Sequence, residues 1–259
     1  MSWGTLQYTL RGTTDNGIVV ESVSAPGSFY LLSHVSYSSG QALNNLNTTD
    51  PYTYCFLSGT AIATPEGEVP VEHLKIGDLV CTVDGRTVPV KWLGEQRVKN
   101  SMFTPNHRAP VCICKGALGN GLPLTDLFVS ADHGLLLDDY VVNASALVDD
   151  STIRFVPMAE MAAEFTYYHI ETDDHDVVLA NGTPAETFID YAGRQAFDNY
   201  QEYLDLYPTE RLIPEMPRSR ISAARLLPDE IKARIVTGFD WDAALDDPAM
   251  TIALERGAA

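Results

Sequence analysis

The chain has 259 residues, of which 45% are hydrophobic and 20% charged, enough apolar material for one large soluble domain or two small ones. Its 35 acidic and 17 basic residues leave a formal charge of −18 at pH 7, a surface that repels phosphate backbones and anionic bilayers and so argues against both as partners. No apolar run reaches the roughly 18–20 residues a membrane span needs.

The opening "MSWGTLQYTLRGTTDNG" lacks a basic n-region and an apolar h-region, so a cytoplasmic location is expected, with leaderless export left open. Further into residues 1–54, "GIVVESV" and "SFYLLSHVSYSSG" carry β-branched and aromatic residues in short runs, the pattern of strands broken by turns. The polar "GQALNNLNTTDPYTY" reads as a connector and places the first boundary. Four cysteines follow: Cys55, Cys81, Cys112 and Cys114. In a chain of this length, with no leader in view, they are expected to be reduced.

Residues 55–190 read as a compact all-β domain. "AIATPEGEVPVEHL" is two short strands around a turn, and "LVCTVDGRTVPVKWLG" is a hairpin with Asp84-Gly85 at its tip. "APVCICKGALG", "DLFVSADHGLLL" and "HDVVLANG" continue the close spacing of short strands. Past residue 190 the period becomes helical. "AGRQAFDNYQEYLDLY" has aromatic residues at helical spacing, and "LLPDEIKARIVTG" has Pro228 at a first helical position with acids in the first turn. "PTERLIPEMPRSR" between them reads as a linker, and "DPAMTIALERG" as one more short helix. The expected fold is therefore mainly β, with a short β-rich N-terminal segment (1–54) and a helical C-terminal extension (191–259).

Three stretches belong together. Cys55 opens "CFLSGTAIATPEGEVPVEHLKIGDLV", which includes Gly59, Thr60, Glu72, Gly77 and Asp78. "VSADHGLLL" sets Ser130 three residues before His133, and "YYHIETDDHDVVLANG" sets His175 before an apolar strand and an Asn181-Gly182 turn. In this order they resemble the Hint family, the self-processing domains shared by inteins and Hedgehog C-terminal regions, and in particular its bacterial intein-like subgroup. The resemblance covers about half the chain and implies a horseshoe-like all-β fold.

It also implies a chemistry. A cysteine thiol attacks the carbonyl of the preceding residue, here Tyr54, and exchanges an amide for a thioester (an N–S acyl shift). That step needs a protonated leaving nitrogen and a stabilised tetrahedral oxyanion, and an imidazole with a near-neutral pKa suits the proton transfer. By the resemblance, His133 would donate to the Cys55 nitrogen while Ser130 helps hold the peptide. His175 would support catalysis or stabilise its turn. His169 stands where many inteins carry Asp, and either adds an acid/base group or removes a carboxylate role. Glu72, Gly77 and Asp78 read as turn and fold determinants.

The pattern breaks at its end. Inteins close on a His-Asn pair, whereas "TPAETF" offers Glu186 and Thr187, neither of which forms a succinimide. Asn181 lies in the turn. Cleavage without splicing is therefore expected, with the chain's own N-terminal segment as substrate, water or a small nucleophile as acceptor, and no cofactor. Three other readings stay open. One is a silent scaffold of the same fold, with the helical tail as a binding surface. A conventional cysteine peptidase built on Cys55 and His133 is disfavoured, because a strand-like run follows the cysteine where such enzymes place a helix N-terminus. A zinc site at Cys112-x-Cys114 near His107 lacks a second ligand pair, and strand alternation explains the two cysteines as core.

Overall fold

A computed structural model describes residues 8–14, 17–22, 28–33, 54–101, 104, 108–189, 193–207 and 209–237. The chain divides into two compact units, Met1–Thr53 with Asp190–Ala196, and Tyr54–Ile189 with Phe197–Ala259.

The first unit holds a three-stranded antiparallel sheet of β1 (Tyr8–Thr14), β2 (Gly17–Ser22) and β3 (Phe29–Ser33) in that order. β2 and β3 are the strands expected from "GIVVESV" and "SFYLL", and they pair Ile18 with Leu32 and Val20 with Tyr30. β1 is an addition to the sequence reading. Its register slips between Leu10 and Gly12, the signature of a β-bulge. The connector through Asp50-Pro51 lies outside the described residues.

The second unit is built from short strands, as their spacing predicts. β4 (Phe56–Leu57), β5 (Ala61–Thr64) and β6 (Gly67–Pro70) come first, then β7 (Leu79–Cys81), β8 (Thr87–Pro89) and the long β9 (Trp92–Lys99). β10 (Val111–Ile113), β11 (Leu127–Val129), β12 (Gly134–Leu137), β13 (Tyr140–Asn143) and β14 (Ile153–Phe155) follow. β15 (Glu164–Glu171), β16 (Val177–Ala180) and β17 (Thr183–Glu186) complete this region. The expected hairpins are present: β5–β6, β7–β8 around Asp84-Gly85, and β16–β17 around Asn181-Gly182. Asn181 and Gly182 both have positive φ (46° and 76°), as a tight two-residue hairpin turn requires.

The C-terminal extension is helical at both expected places, with α1 at Tyr200–Leu206 and α2 at Asp229–Thr237. α2 starts one residue later than the placement of Pro228 predicts. Ile231 and Ile235, one turn apart, bury its inner face. The linker expected between the helices is only partly a linker, because β18 (Ser219–Ile221) pairs in parallel with β13. Too few apolar residues surround Ser219-Arg220-Ile221 for periodicity to reveal a strand; a sheet edge elsewhere in the chain supplies its hydrogen bonds. The expected helix at "DPAMTIALERG" lies outside the described residues.

These strands assemble as a six-stranded sheet in the order β14-β10-β11-β4-β15-β9 and a seven-stranded sheet in the order β18-β13-β12-β17-β16-β5-β6. Phe56, Ile62, Ile113, Leu127, Leu135 and Ile170 are fully buried in one core cluster, each contributing about 1.5–3 kcal/mol of burial. The extension packs on the same unit: Phe197 and Tyr203 meet the buried Trp92 edge-on at 5.3 Å. No helix among the described residues is long and apolar enough to cross a membrane.

Candidate functional site

Cys55 is fully buried immediately before β4, a strand two residues long. The chain must turn immediately afterwards. Gly59 does so at φ 88°, with its N–H donated to the Glu72 carboxylate at 2.8 Å. Gly77 has φ 92°, and Asp78 accepts the Lys75 N–H at 2.8 Å. These residues build turns, as their positions in the first motif predict.

β4 lies between β11 and β15, with Phe56 opposite Val129 on one side and Tyr168 on the other. The register brings Ser130 alongside Cys55. The Cys55 N–H donates to Ser130 Oγ at 2.7 Å, and the Ser130 N–H donates to the Cys55 carbonyl at 2.8 Å. Ser130 thus holds the nitrogen of the Tyr54–Cys55 peptide and fixes its plane. The turn from β11 into β12, closed by the His133 N–H on the Ser130 carbonyl at 3.1 Å, then carries His133 into the same interior.

His133 is wholly buried, its ring 4.3 Å from that of Phe56 and 5.7 Å from that of His169. Burial pushes its imidazole down to about 4, against the opposing pull of the Glu186 carboxylate and the adjacent Tyr54 backbone. It is therefore neutral at neutral pH, lower than the near-neutral value expected of a proton-transfer histidine, because desolvation outweighs the pull of the Glu186 carboxylate. His169 is held well below the ordinary imidazole range by burial and then by His133. On β15, alternation turns Tyr167 and His169 to one buried face and leaves Tyr168 on the other. The Tyr167 phenol is raised by burial and next by the charge of Cys55 beside it, and its hydroxyl donates to the Arg108 carbonyl at 3.0 Å.

His175 is brought in by the β16–β17 hairpin. The Asn181-Gly182 turn sets Val177 opposite Glu186, so the residues just outside that pair also meet. The Met216 N–H donates to His175 Nδ1 at 3.1 Å, which leaves the ring hydrogen on Nε2 to be donated to Glu186 Oε2 at 3.1 Å. Asn181 is committed to the turn: its Oδ1 accepts the Ala61 N–H at 2.7 Å and its Nδ2 donates to the Asp126 carbonyl at 2.8 Å.

Glu186 is the residue whose importance the sequence reading missed. Read only as a departure from a His-Asn ending, it is a buried carboxylate that accepts from Gly134 N–H at 2.7 Å, from His175, and from both terminal nitrogens of Arg220. Burial alone would raise its pKa. The His175 and Arg220 hydrogen bonds and the Arg220 charge overrule burial and hold it at about 2. Its one sequence signal is a charged residue at an inward position of an apolar hairpin. Arg220, on β18, carried none. Its guanidinium also donates to Asn143 Oδ1 at 3.0 Å and stands 5.8 Å from the centre of the Tyr54 ring.

The five residues singled out in sequence are thus buried in one unit with Glu186, although their pairings differ: Ser130 with Cys55, His133 with His169, and His175 with Glu186. A sequence model described as the Hint domain matches residues 54–192, just over half of the chain. The chain belongs to the Hint domain family. Similar solved structures include the gp41-1 intein, at 16% identity, covering 51% of this chain and 98% of that one with a TM-score of 0.37. The MchDnaB-1 intein is similar at 17% identity over 50% of this chain and 98% of its own, with a TM-score of 0.36. A bacterial intein-like domain from Clostridium thermocellum matches at 16% identity over 52% and 99%, with a TM-score of 0.38. No match was found among curated proteins.

The burial of Cys55 in this Hint domain, immediately before a strand, denies it both the access and the helix N-terminus that a peptidase nucleophile uses. All four cysteines are free of disulfides. The Sγ atoms of Cys112 and Cys114 lie within 4.8 Å of each other and of an Asp126 carboxylate oxygen, a third donor that sequence spacing did not reveal. His107 lies outside the described residues.

Proposed function

We propose that this Hint domain cleaves its own chain between Tyr54 and Cys55. The Cys55 Sγ attacks the Tyr54 carbonyl carbon, the C–N bond breaks, and the thiol proton ends on the departing nitrogen. An amide and a thiol become a thioester and an amine, with no net proton change. Water or a small nucleophile then attacks the thioester, releasing residues 1–54 with a new carboxyl group (or acyl adduct) at Tyr54 and restoring the Cys55 thiol.

The observation that carries this reading is Ser130 Oγ on the Cys55 amide at 2.7 Å, with a neutral, buried His133 beside the Tyr54 backbone. A neutral imidazole can take the thiol proton and return it to nitrogen as the tetrahedral intermediate collapses. Tyr167 stands by the thiol, and His169, its ring 5.7 Å from that of His133, fills the apolar space behind it. Glu186 and Thr187 offer no side-chain amide to cyclise, which supports release without splicing.

Intact mass of the full-length protein, with and without excess thiol, tests the reading. Fragments of residues 1–54 and 55–259 that appear faster with thiol and vanish in Cys55→Ala are expected. A single full-length mass under both conditions refutes it.

A further inference from the structure

We propose that Arg220 is a positioning residue for the Tyr54–Cys55 bond, its guanidinium set between Glu186 and the Tyr54 ring so that the site selects an aromatic residue before the cysteine. The inference rests on the self-cleavage reading and names a specificity within it.

Arg220 sits on β18, in the C-terminal extension, and its register on β13 places it opposite Val141. From there the side chain reaches inward, only 18% exposed. Its terminal nitrogens donate to both Glu186 oxygens and to Asn143 Oδ1, and Glu215 stands 3.8 Å from Nε. A guanidinium held in this way is rigid. It presents its remaining surface to Tyr54, 5.8 Å from the ring centre, within the range of a cation–π contact.

Tyr54 contributes the acyl carbon to the scissile bond. Anchoring its ring limits rotation of the residue whose carbonyl must meet the thiol, while Ser130 fixes the nitrogen side of the same peptide. The two contacts therefore grip the bond from opposite ends. Glu186 orients Arg220 and also accepts from Gly134, the neighbour of His133. A cation–π contact of this kind corresponds to roughly a 3- to 30-fold effect on an equilibrium or rate.

The test is a Tyr54 series in full-length protein, which leaves the buried ion pair intact, with thiol-induced release followed by intact mass. Tyr54→Phe keeps the ring and is expected to cleave faster than Tyr54→Leu by roughly 3- to 30-fold. The same series is repeated in Arg220→Gln, which removes the cation, and there the discrimination should collapse. Equal rates for Tyr and Leu in the Arg220 protein overturn the inference, as does discrimination that survives in Arg220→Gln.

A second readout needs no cleavage: a denaturation cycle of Tyr54→Leu and Arg220→Gln in the Cys55→Ala background. Coupling between the two substitutions is expected, and strict additivity overturns the contact. A wild type that never cleaves but shows coupling sinks the self-cleavage reading, and the positioning role with it, while leaving the contact standing. The two failures are thereby told apart.

Discussion

Replacing Glu186 by glutamine removes one charge at constant shape, and the structure sets the size of the effect. The carboxyl falls from an ordinary 4.5 to about 2 in the folded protein, which corresponds to about 3 kcal/mol of stability at pH 7. Since the folded value is depressed, that stability is fully present above pH 4.5 and is lost as the pH falls toward about 2. At pH 3.5 about 2 kcal/mol should remain. Removal of one member of a buried pair usually costs about 3–5 kcal/mol, because the partner charge is left uncompensated; here the partner is Arg220. Urea denaturation of Glu186→Gln against its parent, both in the Cys55→Ala background so that cleavage cannot intervene, measures the difference. A loss of about 3 kcal/mol at pH 7 that shrinks by roughly a third at pH 3.5 is expected. A loss below about 1 kcal/mol at pH 7, or one independent of pH, would refute the assignment of Glu186 as an ionised, paired carboxylate.

Other predictions follow from the same contacts. Ser130→Ala removes the acceptor of the buried Cys55 N–H, so it should lose about 1–3 kcal/mol and slow fragment release, with Ser130→Thr recovering both. Because His133 is held at about 4, the release rate should stay level on acidification through pH 6.5 and fall only near pH 4; a break near 6.5 would contradict a neutral His133. The same depression means that the unfolded chain protonates first, so stability falls between pH 6.5 and about 4. In urea titrations His133→Gln should lessen that fall. A Cβ at Gly134 would meet Glu186 Oε1 and Val141 Cγ1, each at 2.5 Å. Gly134→Ala should therefore lose about 1–3 kcal/mol by overpacking, and a wild-type denaturation midpoint would show that the Glu186 clamp yields.

Much of the scaffold was legible because its signals are local. Asp84-Gly85 and Asn181-Gly182 specify hairpins through backbone conformations that few residues adopt. Cys55, Ser130, His133 and His175 could be singled out in the order of their motifs. By contrast, the bond from Cys55 to Ser130 spans 75 positions, and nothing near either residue encodes it.

The last division is one of range. By itself the sequence determined the turns, the strand periods, the helical extension and the identity of the nucleophile candidate, all set by neighbours along the chain. Only the tertiary structure decided that Glu186 is a clamped anion, that His133 is neutral, and that Arg220 of a supposed linker stands over Tyr54. Desolvation and charge pairing depend on which distant segments close around a group. For Glu186 those segments are β12, the loop bearing His175 and β18, and their meeting is a property of the packed sheets.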